Sequence, residues 1–267
     1  MKKFFTLVEI LVVIAIIGIL ASLLIPVLNS AKSKAKYTSW KTWSNQVKAD
    51  GSTLAVYDFQ EAEDNYLINS SFTYELNNEY KPENLNATLT QNSWAEGRWK
   101  NKSAIQFNDN TAANISDTGY MTNVRRMTIS VWVNIPENTA GTQTLISNGI
   151  NWWINVNSSG QLSARIDFVN IGDFDTATTE SFNNGKWHQV TYCWDGNDLI
   201  LYVDGKEKSR RSINLPNEVL LNDNESMAIG YNSYFGNNFN GRIDEAIIWT
   251  DNLSPEEISN NYKATRN

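Results

Sequence analysis

Cysteine and histidine each occur once in this chain of 267 residues, as Cys193 and His188. One cysteine excludes an intrachain disulfide, so the folded part must be held by packing alone or with a bound ion. Cys193 lies in the strand-like run 190–194 and reads as a small buried hydrophobe. His188 has no second histidine or cysteine to complete a metal or nucleophile site, so it reads as structural. Charge is missing elsewhere. From Phe4 to Leu28 the only charged residue is Glu9, with Lys2 and Lys3 before it and Lys32, Lys34 and Lys36 after it. About 20 apolar residues span a bilayer as a helix, so this run is long enough. A lone carboxylate inside such a run costs about 2–3 kcal/mol on insertion scales, and residues kept at that cost are usually functional.

The rest of the chain has the opposite character. The first 48 residues hold seven lysines against one acid (+6), which leaves −13 for the remainder of a chain whose net charge is −7. An acidic outer part argues against nucleic-acid binding. Ten Trp, eleven Tyr and ten Phe are ample for a sizeable core. The expected division is a leader over residues 1–4, a helix over 5–50 and one domain over 51–267.

Leu28, Ala31, Ala35, Trp40, Trp43 and Val47 approximate a helical stripe beyond the apolar run, and Asp50-Gly51-Ser52 is a stop signal. A helix from Phe5 to Ala49 would be about 65–70 Å long at 1.5 Å per residue. From Leu54 onward the period becomes two. Met127, Ile129, Val131 and Val133 alternate with Thr128, Ser130 and Trp132, and residues 162–168 and 190–194 alternate likewise. Asp195-Gly196 and Asp204-Gly205 are tight-turn dipeptides on either side of a strand at 199–203. Ser254-Pro255-Glu256-Glu257 announces a last helix with a capping box. The pattern is α+β overall: a long N-terminal helix, then an antiparallel β-sandwich.

Two resemblances follow from these strings. Phe5-Thr6-Leu7-Val8-Glu9-Ile10-Leu11-Val12-Val13-Ile14-Ala15, with Pro26 further along, resembles the N-terminus of type IV pilins and type II secretion pseudopilins. That resemblance implies cleavage by a prepilin peptidase between Phe4 and Phe5, N-methylation of Phe5, a helix kink at Pro26, and pairing of Glu9 with a neighbouring subunit's amine during filament assembly. The chain departs from the family in one place, since the leader of pilins ends in Gly and here that position is Phe4. The alternative is an uncleaved signal anchor.

Lys186-Trp187-His188-Gln189-Val190, Leu201-Tyr202-Val203-Asp204-Gly205-Lys206 and Phe239-Asn240-Gly241-Arg242-Ile243-Asp244-Glu245 resemble laminin-G-like, concanavalin A-like jelly rolls over about residues 54–264. This implies fold more than function, because the architecture hosts lectins, adhesion modules, glycosidases and spacers. The resemblance also implies a structural calcium ion at Asp244, with Asp58 as a neighbouring ligand. Retaining glycosidases need two carboxylates about 5 Å apart, usually as E-x-D-x-E along one strand. No such string occurs, and Asp244-Glu245, being adjacent, should point to opposite faces. Trp152, Tyr231, Tyr234 and Phe235 are the aromatic candidates for a glycan or surface-protein ligand. The resulting expectation is a non-catalytic, pilin-like filament subunit. It starts in the inner membrane and passes to an extracellular filament or periplasmic pseudopilus, with other pilin-like subunits as partners. A minor or tip adhesin whose jelly roll binds glycan or protein is the alternative.

Overall fold

The computed structural model describes residues 6–60, 66–67, 85–91, 93–99, 102–115, 124–168, 170–218 and 226–266. Phe4 and Phe5, where processing is expected, lie outside the described residues. The chain divides into two compact units, Met1–Thr42 and Trp43–Asn267.

Helix α1 (Leu7–Lys48) carries the apolar run and continues through Pro26. Its first turn is closed by an N-terminal box. The Thr6 amide and hydroxyl both donate to Glu9 Oε2 at 2.8 Å, and the Glu9 amide donates back to Thr6 Oγ1 at 3.3 Å. Every large apolar side chain from Leu7 to Leu28 is between 50% and 79% exposed, so this stretch is apolar all round. It is long and apolar enough to cross a membrane. From Trp43 onward the helix belongs to the second unit. There Val47 joins Val56, Ile247 and Trp249 in a small cluster against which Trp43 packs, and Trp43 Nε1 donates to Asn261 Oδ1 at 2.9 Å.

The strands of the second unit are, in chain order, β1 (Thr53–Tyr57), β2 (Tyr66–Leu67), β3 (Ala87–Leu89), β4 (Trp94–Glu96), β5 (Ser103–Phe107) and β6 (Ala113–Ile115). There follow β7 (Met127–Asn134), β8 (Gln143–Asn148), β9 (Trp152–Val156), β10 (Gln161–Phe168), β11 (Gly172–Ser181) and β12 (Trp187–Trp194). The last are β13 (Asp198–Val203), β14 (Lys206–Ser212), β15 (Met227–Ile229), β16 (Tyr231–Asn232), β17 (Asn237–Asn238) and β18 (Gly241–Trp249), before helix α2 (Pro255–Thr265). One sheet runs β14-β13-β12-β7-β18-β5-β4, with β1 also on β18; the other runs β11-β10-β9-β8-β15-β6-β3-β2. The described pairings are antiparallel, as the period of two implies. The two inner faces enclose the main core, including Ile129, Val131, Tyr192, Trp194, Trp152, Ile154 and Phe107.

Local chemistry sets the corners. At Asp204-Gly205 both φ values are positive (54° and 70°), the geometry of a two-residue hairpin, here joining β13 to β14. The expected box at α2 is present: Ser254 Oγ accepts from the Glu257 amide, Glu257 accepts from the Ser254 amide, and Pro255 opens the helix. Although the side chains of β7 alternate between apolar and mixed, all eight of its residues are buried. The segment ending in α2 lies over its outer face. Tyr262 stacks on Trp132, Ile258 packs with Cys193, Ile200 and Tyr202, and Thr128 Oγ1 donates to Asp251 O. Cys193 is buried as expected, and burial pushes its thiol up to about 12.

Candidate functional site

Two constellations stand out in the jelly roll. The first is built on a bulge in β18. Asp244 pairs with Trp132 of β7 and Ala246 with Val131, so Glu245 is an extra residue, and its φ is +60°. The bulge overturns the expectation that adjacent carboxylates diverge. Asp244 Oδ2 accepts from Arg98 Nε at 2.9 Å and Glu245 Oε2 from the same guanidinium's Nη2 at 3.2 Å. Arg98 also donates through Nη1 to Thr265 O at 2.8 Å and lies over the Trp132 ring at 4.4 Å. Lys102, from the same β4–β5 connection, pairs with Asp244 Oδ1 at 2.7 Å and donates to Asp58 O at 2.7 Å. The four charged side chains are between 0% and 2% exposed.

Gly97 makes this insertion possible. A Cβ there would meet Lys102 O at 2.8 Å, Ser103 O at 2.9 Å and Asp244 Oδ2 at 3.0 Å. The sequence reading missed Arg98 and Lys102 altogether. They are 146 and 142 positions from Asp244, and no local pattern announces such a pair.

The cluster balances two cations against two carboxylates that are all buried, so it is a set of buried ion pairs with no solvent-exposed face. Its fit to calcium is poor for the same reason. Asp244 is taken by Arg98 and Lys102, while Asp58 turns its carboxylate to Lys48 Nζ at 2.7 Å. Among the described residues, no group of three or more His, Cys, Asp or Glu is placed to hold a metal ion. A shallow recess of about 270 Å³ beside the cluster is lined by Trp132, Trp187, Tyr262 and Arg266. Its rings are already engaged: Tyr262 stacks on Trp132 and has the Arg266 guanidinium over its own ring, and Arg242 lies over Trp187. That stack fastens α2 to the sheet. His188 is held by Asp204 Oδ2 at 2.8 Å and Asn184 Oδ1 at 3.2 Å, which suits the structural role expected of it.

The second constellation is the β16–β17 hairpin. Tyr234 and Phe235 at its tip are 61% and 47% exposed, and their rings meet edge to face at 4.9 Å. Beneath them Asn232 is fully buried. Its Oδ1 accepts from the Tyr234 and Phe235 amides at 2.9 and 3.1 Å, and its Nδ2 donates to Gly149 O at 2.8 Å. Ser147 Oγ donates to Tyr231 O at 2.9 Å, adding a second tie to the β8–β9 corner. At the base, Gly230 has a φ of +75°, and a Cβ there would strike the Phe107 ring at 2.1 Å. Asn232 escaped the sequence reading, although an Asn two residues before the tip is a readable turn signal.

Tyr231 is half-buried, and Tyr234 and Phe235 stand free on the surface. Trp152 is corrected. At 1% exposure it belongs to the core, because its register opposite Asn148 and Ile166 turns it inward. Its neighbour Trp153 is half-buried.

Against known proteins, no curated sequence matches the chain. Solved structures match its fold. They include domain 4 of AbnA, an extracellular arabinanase of Geobacillus stearothermophilus, in complex with arabinotriose. That match has 22% identity and a TM-score of 0.57, and covers 79% of this chain and 98% of that one. The binding domain of Paraclostridial Mosquitocidal Protein 1 matches at 18% identity and a TM-score of 0.61, over 81% of this chain and 52% of that one. The ligand-binding domain of botulinum neurotoxin serotype D, in complex with N-acetylneuraminic acid, matches at 17% and 0.56, over 80% and 51%. The chain therefore spans about half the length of the toxin binding domains. A family model, Laminin_G_3, described as the concanavalin A-like lectin/glucanases superfamily, matches residues 100–259. With its two antiparallel sheets and that match over more than half its length, the chain belongs to the concanavalin A-like lectin/glucanases superfamily.

Proposed function

We propose that this protein is a membrane-anchored binding module, non-catalytic, whose jelly roll takes a glycan through the tip of the β16–β17 hairpin. The observation that carries the reading is the Tyr234–Phe235 pair, two exposed rings locked by a buried Asn232. Aromatic faces stack on the C–H faces of sugars, and a backbone fixed in advance lowers the entropy lost on binding. The arabinotriose and N-acetylneuraminic acid complexes of structurally similar domains agree with a saccharide ligand. The carboxylates nearest to a catalytic pair, Asp244 and Glu245, are committed to Arg98 and Lys102, which supports a role without hydrolysis.

The test is a glycan array probed with the detergent-solubilised full chain. Saccharide binding is expected for the wild type, with at least a tenfold loss in Tyr234→Ala/Phe235→Ala and an unchanged circular-dichroism spectrum. Undiminished binding by the double variant would place the site elsewhere. Capture of a surface protein and no glycan would replace the saccharide reading by the protein-ligand one.

The mode of display is the finer part of the proposal. The apolar stretch of α1 serves as a membrane anchor, and the Phe5–Glu9 string supports assembly with other pilin-like subunits after cleavage behind Phe4. Glu9 also closes a capping box with Thr6, so its presence has a local explanation that the sequence reading did not include. The two roles separate by substitution. Thr6→Val removes the hydroxyl that caps the Glu9 amide and should leave assembly intact, whereas Glu9→Ala should leave membrane insertion intact and reduce filament assembly. Equal filament yield from Glu9→Ala and wild type would reduce Glu9 to a helix cap.

A further inference from the structure

Two non-glycine residues adopt left-handed backbone at the same level of the first sheet. They are Phe59, just after β1 (φ +56°), and Glu245, in the β18 bulge (φ +60°). The strands are neighbours, with Tyr57 opposite Ala246. Left-handed conformation costs a non-glycine residue about 1–2 kcal/mol, so something must hold both in place. Around this point three oxygens, one from the residue after β1 and two from β18, face one spot: Asp58 O, Asp244 Oδ1 and Glu245 Oε2. A main-chain carbonyl with two carboxylates is a donor set that suits a hard divalent cation. The group at that spot is Lys102 Nζ, 2.7 Å from the first two and 4.0 Å from the third, on a side chain with no solvent exposure.

We propose that Lys102 is a built-in cation that takes the place of a calcium ion, and that removing both its ammonium and the bulk of its stem opens a calcium site on the Asp58 carbonyl, Asp244 and Glu245. Arg98 contributes the second charge, through Nε to Asp244 Oδ2 at 2.9 Å and through Nη2 to Glu245 Oε2 at 3.2 Å. The pair leaves the two carboxylates neutralised without a metal. An ammonium attached through its own stem needs no free ion concentration to remain bound. A domain exported into dilute surroundings thereby keeps its C-terminal strand ordered at any calcium level.

The experiment is thermal unfolding of the full chain in detergent, with EGTA or with 5 mM calcium, each at matched ionic strength. Wild type is expected to show the same Tm in both. Lys102→Ala should melt lower in EGTA and regain a substantial part of the loss in calcium, saturably, because a ligand that binds only the native state stabilises it by mass action. Lys102→Met, which fills the space without charge, should be destabilised and indifferent to calcium. A saturable calcium-dependent rise in wild-type Tm would overturn the proposal, as would a Lys102→Ala variant that calcium does not help. Should Lys102→Ala not fold in EGTA, terbium luminescence during refolding supplies the second readout. Folding restored with terbium bound supports the site, and no restoration rejects it.

Discussion

The bulge of β18 and the tip of the β16–β17 hairpin both invert the usual partition of side chains. One buries four charges and the other exposes two aromatic rings. Chemistry separates them. The buried charges balance two against two, so the desolvation each would suffer alone is offset by its partners. The exposed rings have no such compensation among the described residues. Their backbone is fixed by a buried amide, while the rings themselves touch chiefly each other. A compensated inversion contributes to the fold, whereas an exposed aromatic pair is the feature on which the proposed ligand reading rests.

The sharpest way to break the comparison is at Arg98. Arg98→Ala strands Asp244 and Glu245 with Lys102 as the remaining cation, and also removes the bond to Thr265 O that helps seat α2. Removing one partner of a buried pair costs about 3–5 kcal/mol. In a domain this large each kcal/mol moves Tm by about 2–4 °C, so a fall of roughly 6–20 °C is expected. Combining Arg98→Met with Glu245→Gln should recover part of it, because charge is then lost from both sides. A fall of less than about 1 kcal/mol for Arg98→Ala, by urea titration, would show that the cluster contributes little.

These regions also differ in how far they are legible in sequence. The hairpin turns at Asp195-Gly196 and Asp204-Gly205, the alternating strands and the capped α2 follow from short-range rules, and all are found where the residues put them. Tyr234 and Phe235 share that property, since an aromatic pair in an Asn/Gly-rich loop has no local partner to bury it. The β18 cluster is the reverse. Nothing near Gly97 or Arg98 shows that the connection will insert under a strand 146 positions away, and the parity rule for Asp244 and Glu245 fails because a single left-handed residue cancels it. Trp152 fails as a ligand candidate for a related reason: of two adjacent strand residues one faces in, and which one is fixed by register with β8 and β10.

Asn232 tests the middle ground, being a buried polar side chain that holds an exposed pair. Asn232→Ala leaves Gly149 O without its donor and frees the Tyr234 and Phe235 amides. The loss should be about 1–3 kcal/mol, the cost of a buried polar group left unsatisfied. Hydrogen exchange should speed up at those two amides and leave β7 and β12 unaffected. Glycan affinity should fall although no ring has been removed. Unchanged exchange at the tip would mean that the hairpin is held by its strands and that Asn232 is incidental.

The smallest stability effect belongs to the rings themselves. Tyr234→Ala/Phe235→Ala deletes side chains that are about half exposed and whose edge-to-face contact is with each other. Surface substitutions away from a packed contact stay within about 0.5 kcal/mol, so the urea midpoint of the double variant should coincide with that of wild type. Its hydrogen exchange at positions 234 and 235 should also be unchanged, because the Asn232 bonds go to main chain and do not depend on the rings. A loss above 1 kcal/mol would show that the rings pack on the domain and are part of its structure. Stability preserved with binding lost would complete the contrast with Arg98, where the same kind of truncation costs the fold.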